Sequence, residues 1–586
     1  METIVIKVNG KEYQVAKDQT ILEACQSLNI HIPTLCYLKD INKSGACRMC
    51  LVEVKGARTL VSSCTYPIFE GMEVFTNTKR VIEARRNTLE LILSNHSKEC
   101  LSCSRNQKCE LQSLAQELGI KELKFVGDKS KRTIEKFSLA IERDTLKCVL
   151  CGRCVETCKK AQGLGILGFQ NRGFDTAVGP AYGLDFSQVN CMQCGQCVIN
   201  CPTGALSVRN DIAKVVDALN DPDKFVVVQT APAVRAALGE EFAYPIGTCV
   251  TGKMVAALKA IGFNRVYDTN FGADLTIMEE GYEFINRLNG NGKLPMITSC
   301  SPGWVRYAEF EYPDILNHLS SSKSPHMMLG AIIKSYFAKI NKIDPKNIVN
   351  VSIMPCSAKK VEIVKEENLK DDGIQDVDIV LTTRECADLI RLYGIPFTKL
   401  ADADFDQDLL GAYSGAAVIF GATGGVMEAA LITVKEVLEG NTIEHVDFTM
   451  VRGLEGIKEA SVEIAGQTLK IAIASGMANA KPLLEQIRKG LSPYHFIEIM
   501  GCPGGCINGG GQPYVASYIK NTEGLNIYRE KRMQVLYSED KAAKIRKSHE
   551  NPQIIELYDK FLEKPNSTLA HKLLHTTYTA KKRYQI

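Results

Sequence analysis

Residues 148 to 201 hold eight cysteines in two runs, Cys148, Cys151, Cys154 and Cys158, then Cys191, Cys194, Cys197 and Cys201, each spaced C-x2-C-x2-C-x3-C. Thiolates this close together present several soft donors to the iron corners of one compact cubane. In this spacing the fourth cysteine of each run serves the other run's cluster. Cys148, Cys151, Cys154 and Cys201 therefore form one [4Fe–4S] set, and Cys191, Cys194, Cys197 and Cys158 the other. Pro202 follows Cys201 as the pattern expects, whereas Lys159 stands where the first run would have its proline. Structural zinc takes four ligands, not two interlocked fours. The chemistry of this stretch is electron transfer.

Two more ligand sets lie upstream. Cys36, Cys47, Cys50 and Cys64 are spaced C-x10-C-x2-C-x13-C, which suits a [2Fe–2S] centre, with zinc as the alternative. His96, Cys100, Cys103 and Cys109 read H-x3-C-x2-C-x5-C. Three thiolates and one imidazole are a common zinc set. Beside a double-cubane module they also suit a [4Fe–4S] centre, whose neutral imidazole ligand would raise its potential.

The elements around these ligands follow from local pattern. Alternating residues 4 to 8 and 13 to 15 flank an Asn9-Gly10 turn, a hairpin signal. Thr20 caps a helix, ILEACQSLN, on which Cys25 falls in the core. Helices are predicted over 77–95 and 111–118, and a charged connector, GDKSKRTIEK, leads into the eight-cysteine module. From Asp211 the runs KFVVVQT, RVYDTNF, LPMITSC, NIVNVSIMPC, VDIVLTT and AAVIFGATGG read as strands. They alternate with the helical runs MVAALKAIGF and IMEEGYEFINRL, the signature of parallel sheets covered by helices. FGATGGVMEAA lacks G-x-G-x-x-G, so its glycines read as tight packing and not as a dinucleotide loop.

Three cysteine motifs each follow such a run: TSCSPGW from Thr298, MPCSAKKVE from Met354 and EIMGCPGGCINGGGQP from Glu498. Ends of parallel strands are where α/β folds place ligands, so Cys356, Cys502 and Cys506 can converge on one metal site. Gly504, Gly505, Gly509, Gly510 and Gly511 would let backbone approach a bulky group. Glu280, Glu283 and Arg287 fall at i, i+3 and i+7 on one helix face; on spacing alone this is a solvated face with a Glu283–Arg287 ion pair.

Together with the N-terminal modules, these motifs resemble an [FeFe]-hydrogenase of the large, multi-cluster type over almost the whole length. The resemblance implies an H-cluster, a [4Fe–4S] cubane bridged to a diiron centre carrying CO, cyanide and an azadithiolate, and the reaction 2 H⁺ + 2 e⁻ ⇌ H2. It implies three further [4Fe–4S] clusters and one [2Fe–2S]. By motif, Cys356 and Cys502 ligate the cubane and Cys506 bridges to the diiron. Lys359 donates to a cyanide, Met354 and Met500 pack the diiron site, and Ala231 and Pro232 line its pocket. The family pattern matches Glu280, Glu283 and Arg287, with Ser320, as the proton relay from solvent to Cys300. The family reads TSCCPGW where this chain has Cys300 followed by Ser301. Serinate is the harder, less readily ionised ligand. It leaves three arrangements: a labile or serinate-ligated iron corner, Cys300 drawn into the ligand role, or Cys300 kept as relay beside an altered cubane, the arrangement favoured here. His326, after KSP, would add a titratable ring. Cys25, Cys249 and Cys386 are left for packing.

The resemblance gives a multidomain α+β fold. A ferredoxin-like [2Fe–2S] β-grasp covers 1–78. A helical cluster domain with one histidine and three cysteine ligands covers 79–126, and a two-[4Fe–4S] bacterial ferredoxin domain 139–209. A two-lobed α/β H-cluster domain with parallel sheets covers 210–520, and a helical extension 521–586. The 586 residues carry a net charge of +3, which gives no reason to invoke nucleic acid or a membrane surface. No run of about 18 apolar residues occurs, and METIVIKVNGKEYQV lacks a signal peptide's apolar stretch. Twenty-two cysteines without a secretory leader point to metal and a reducing cytoplasm. The N-terminus, RKSHENP and the basic tail also resemble catalytic subunits of NAD(P)-linked, electron-bifurcating hydrogenases. These work with flavin- and NAD(P)-binding subunits and depend on maturation proteins for the diiron site. A stand-alone enzyme served by ferredoxin is the alternative, and a non-catalytic redox or hydrogen sensor is the rival class.

Overall fold

The computed structural model describes residues 2–136, 138–369, 373–442 and 448–584. At the N-terminus, strands Thr3–Val8 and Lys11–Ala16 pair antiparallel across Asn9-Gly10, both left-handed at φ 49° and 85°. Three more strands complete a five-stranded sheet, and helix Ile21–Ser27 packs on it, closed by a Thr20–Glu23 capping box. Helix Lys79–Asn95 follows, capped by Thr78 and tied back by Arg85, which donates to the Leu51 carbonyl at 2.6 Å.

The eight-cysteine module folds around helices Arg153–Lys160 and Gln196–Asn200, which pack on each other. Each begins at a left-handed glycine, Gly152 (φ 77°) and Gly195 (φ 70°), where a side chain would strain the turn between successive ligands. The charged connector adds a short strand, Ile134–Glu135, beside Ile141–Asp144.

Two four-stranded sheets carry the C-terminal half. In the first, Arg265–Asp268, Phe225–Thr230, Ile348–Met354 and Ile379–Thr382 are all parallel. In the second, Met296–Ile297, Phe496–Met500 and Gln467–Ser475 are parallel, and Ile457–Ile464 adds an antiparallel edge hairpin. Strand ends Thr230 and Met354 of one sheet, and Ile297 and Met500 of the other, deliver the motif loops to one place. Among the described residues no helix is long and apolar enough to cross a membrane.

Two expectations fail here. AAVIFGATGG is not a strand: Gly415–Val418 is helical and Ile419–Gly421 a 3-10 turn, started by Ser414, whose hydroxyl accepts from the Ala417 amide. Period and apolarity cannot separate a short buried helix from a buried strand. Cys249 is exposed, on the loop before helix Thr251–Ile261, while Cys25 and Cys386 are buried as expected. The packing reading of the FGATGG glycines holds. Glu498 accepts the amides of Gly424 and Met427, so the helix that they open is closed by a carboxylate and offers no phosphate site.

Candidate active site

A cavity of about 90 Å³ lies between the two sheets, with Cys300, Ser301, Cys356, Lys359, Cys502 and Cys506 in its wall. Ala231, Pro232, Met354 and Met500 make its apolar side. The loop from Met500 is drawn in tightly: a Cβ on Gly505 would stand 2.7 Å from the Thr423 amide, and one on Gly509 2.2 Å from the Pro355 carbonyl oxygen. Burial, and then the charge of Cys356, pushes the Cys506 thiol up to about 12; burial also drives Cys502 well up. Cys356 raises both Cys502 and Cys506, and Cys506 raises Cys502, so the three thiols need a cation to ionise together. Lys359 alone cannot supply that charge, so the donor set fits a metal cluster.

Ser301 has its hydroxyl on the Gly501 amide, from which Oγ accepts at 3.0 Å. Lys359 donates from Nζ to the Cys300 carbonyl at 3.3 Å and pairs with Glu362 at 2.8 Å. Glu362 also meets His326 Nε2 at 2.7 Å, and His326 Nδ1 lies 3.0 Å from Ser352 Oγ. Burial pushes Glu362 up, yet Lys359 and His326 outweigh it and hold the carboxyl at about 2. Burial and then Lys359 push His326 down to about 4. The expected pH-responsive ring is thus neutral through the neutral range. Sequence reasoning missed Glu362, although its i,i+3 spacing from Lys359 was a usable signal.

The acidic helix face is not solvated. Helix Asn270–Leu288 is covered by neighbouring helices, and Glu280 is fully buried. Neither of its oxygens accepts a well-formed hydrogen bond, and burial, followed by the charge of Glu283, pushes it up to about 8. Glu280's charge is felt by the buried Cys300 thiol. Ser320 Oγ donates to Glu283 at 2.9 Å, and Arg287 pairs with Glu283 at 2.6 Å. The structure therefore brings Cys300, Glu280, Ser320, Glu283 and Arg287 together as neighbours.

The cysteine sets come together as the spacing requires. Cys154 feels the charges of Cys151, Cys148 and Cys201 ahead of Cys197, and Cys197 those of Cys191 and Cys158 ahead of Cys201, an order that matches crossed fourth ligands. Cys36 shares a hydrogen bond with Cys47, which lowers it to about 5, and Cys50 one with Cys64, which lowers it to about 7. His96 Nδ1 is buried without a partner beside Cys100, Cys103 and Cys109, and burial pushes the ring down to about 4. A neutral imidazole with a free buried nitrogen suits a metal. The sets also touch. Asn42 donates from Nδ2 to the carbonyls of Cys36 at 2.9 Å and Cys151 at 2.8 Å. Cys502 is the neighbouring charge most felt by Cys194.

The iron-only hydrogenase large subunit, C-terminal domain, matches residues 224–510, and the iron hydrogenase small subunit matches 526–581. A 2Fe-2S iron-sulfur cluster binding domain matches 1–79, the NADH-ubiquinone oxidoreductase-G iron-sulfur binding region 85–124, and a 4Fe-4S dicluster domain 147–205. An NADP-reducing hydrogenase subunit of Solidesulfovibrio fructosivorans is 49% identical, with all of both chains aligned. Iron hydrogenase 1 of Clostridium pasteurianum is 42% identical over 99% of this chain and 100% of its own. The chain belongs to the iron-only hydrogenase family. A solved [FeFe]-hydrogenase of Chlamydomonas reinhardtii superposes with a TM-score of 0.57 at 37% identity, covering 64% of this hydrogenase and 99% of the other chain. The matches of residues 1–79, 85–124 and 147–205 to iron-sulfur domains decide against zinc in the upstream sets.

Proposed function

We propose that this hydrogenase is the catalytic subunit of a cytoplasmic NAD(P)-linked complex, whose flavin-bearing subunits exchange electrons with its N-terminal clusters. The observation that carries this reading is the end-to-end match to an NADP-reducing hydrogenase subunit. The matched iron-sulfur region of an NADH-ubiquinone oxidoreductase subunit supports it. Full-length similarity to iron hydrogenase 1 favours the second reading, a stand-alone enzyme served by ferredoxin.

In this reading the four upstream sets hold the [2Fe–2S] and three [4Fe–4S] clusters assigned to them above. Cys356, Cys502 and Cys506, with Ser301 as a weaker donor, would hold the H-cluster, whose diiron part maturation proteins would install. When bound, the H-cluster supplies the reversible joining of two protons and two electrons into H2. The chain's own residues do the rest. Glu362 steers the Lys359 ammonium toward the buried anionic ligands, and Ala231, Pro232, Met354 and Met500 keep water away. Glu280, with a pKa of about 8, can both take and give a proton near neutrality. It stands between Cys300, which meets the cavity, and the hydrogen-bonded pair of Ser320 and Glu283. Arg287 positions Glu283.

Two measurements test this. Native purification should bring down flavin-bearing subunits in fixed ratio; a chain that purifies alone and flavin-free overturns the complex. Protein with an assembled diiron site should evolve hydrogen from reduced viologen. Silence with intact CO and cyanide infrared bands would instead identify a sensor.

A further inference from the structure

Arg287 is buried, and its donors are engaged. Nη1 donates to the carbonyls of Lys293, Asn317 and His318, Nη2 to that of Leu319, and Nε and Nη2 to Glu283. A guanidinium does not release its proton in a protein. Arg287 can therefore fix Glu283 but pass it nothing.

Another group reaches Glu283 through Ser321. Ser321 Oγ is 3.2 Å from Glu283 Oε2 and 2.8 Å from His575 Nδ1, and the Ser321 amide donates to both Glu283 oxygens. His575 Nε2 lies 3.0 Å from Glu279 Oε2. Glu279 is itself held by the Tyr558 hydroxyl at 2.5 Å and the Asn566 amide at 2.8 Å. A bridge between Ser322 and His575 pins the C-terminal tail here, and the exposed ring of His571 lies 4.0 Å from that of His575. The groups facing His575 are thus Glu279 and Glu283 from helix Asn270–Leu288, His571 from helix Thr568–Leu574, and the Tyr558 hydroxyl from turn Tyr558–Leu562.

We propose that His575 is the proton intake of the hydrogenase, delivering protons through Ser321 to Glu283, an inference that rests on reading Glu283, Ser320, Glu280 and Cys300 as the relay. Imidazole exchanges protons in the neutral range, which a guanidinium does not. The imidazolium donates from Nε2 to Glu279 and from Nδ1 to Ser321 Oγ. The Nδ1–H bond breaks as Ser321 gains that proton, and the original Ser321 hydroxyl proton passes to Glu283 Oε2. No electrons move. The ring is left neutral, with Nε2–H on Glu279; its side chain is 5% exposed, and when the Ser321 contact opens, Nδ1 takes the next proton from a hydronium ion, which leaves as water. Hydrogen oxidation runs the steps backwards. Glu279 is a positioning residue that keeps the ring's orientation.

The test uses the assembled holoenzyme. His575→Gln should lower hydrogen evolution roughly tenfold near neutral pH, short of the ~10²–10⁴ of a direct proton donor because water can reach Glu283 instead. It should flatten the pH profile, leave the CO and cyanide bands unmoved, and be rescued by imidazole in the buffer. Ser321→Ala, which leaves His575 on Glu279, should show the same loss without rescue. Wild-type turnover and pH profile in either variant overturn the intake, as does a loss with shifted bands and no rescue in His575→Gln. Glu283→Gln separates the two levels. If it keeps full turnover, the relay itself is wrong; if it stops turnover while His575→Gln does not, only the intake falls.

Discussion

Cys103 packs so closely on Gly204 that a Cβ at Gly204 would stand 2.3 Å from its sulfur. Gly204 is three residues past Cys201, a ligand of the first cubane set, and Cys103 belongs to the His96 set. The two sites are therefore in van der Waals contact through a position that only glycine fits. Asn42 bridges the first cubane set to the Cys36 set, so both N-terminal sites open onto one cubane. From there the path leads through the second cubane set to Cys194 beside Cys502.

Gly204→Ala should displace the Cys103 thiol and cost the protein one cluster. Iron analysis is expected to fall by one cubane's worth, with loss of a single EPR component and the other centres intact. Full iron content and an unchanged spectrum would show that the loop yields to the methyl group.

Ser301→Cys should change the cubane. Ser301 already turns its hydroxyl to the Gly501 amide at the cavity wall, and a thiolate in its place offers iron a softer, more readily ionised ligand. The expected result is a shifted EPR signal and potential for the cubane alone. Spectra identical to wild type would remove Ser301 from the ligand set.

Glu283→Gln should depress turnover by about 10²–10⁴, the usual worth of a positioned proton carrier, while the infrared bands stay where they are. The amide keeps a partner for Arg287 and Ser320, so the fold should survive. Wild-type turnover would exclude Glu283 from the route.

What was legible in the sequence was local. Cluster ligands sit a few residues apart because one cluster must be reached from one loop, so the spacing of Cys148 to Cys158 carries its meaning in eleven residues. What tertiary contact decides was hidden. Glu280, Glu283 and Arg287 have the spacing of a wet helix face, and only the helices packed over Asn270–Leu288 make that face dry. AAVIFGATGG has the composition of a strand, yet Ser414 starts a helix there. HKLLH sets His571 and His575 one turn apart, a readable signal, but the serine that gives His575 a use lies 254 residues away. The Ser301 departure was readable because it breaks a motif in place.

Glu280 also makes a stability prediction. Its carboxyl, ordinarily near 4.5, is raised to about 8 by burial and by Glu283. The folded protein thus keeps a proton that the unfolded chain releases above about pH 4.5. Stability must then fall as pH rises between those two values, and the whole penalty, on the order of 5 kcal/mol, is present above about pH 8. Glu280→Gln mimics the neutral acid and has nothing to lose. In protein without the diiron centre, the variant should match wild type in Tm near pH 4 and melt clearly higher at pH 9. Parallel Tm curves across that range would mean that Glu280 is ionised in the folded state, and a carboxylate already charged at neutral pH could not serve as the neutral donor to Cys300.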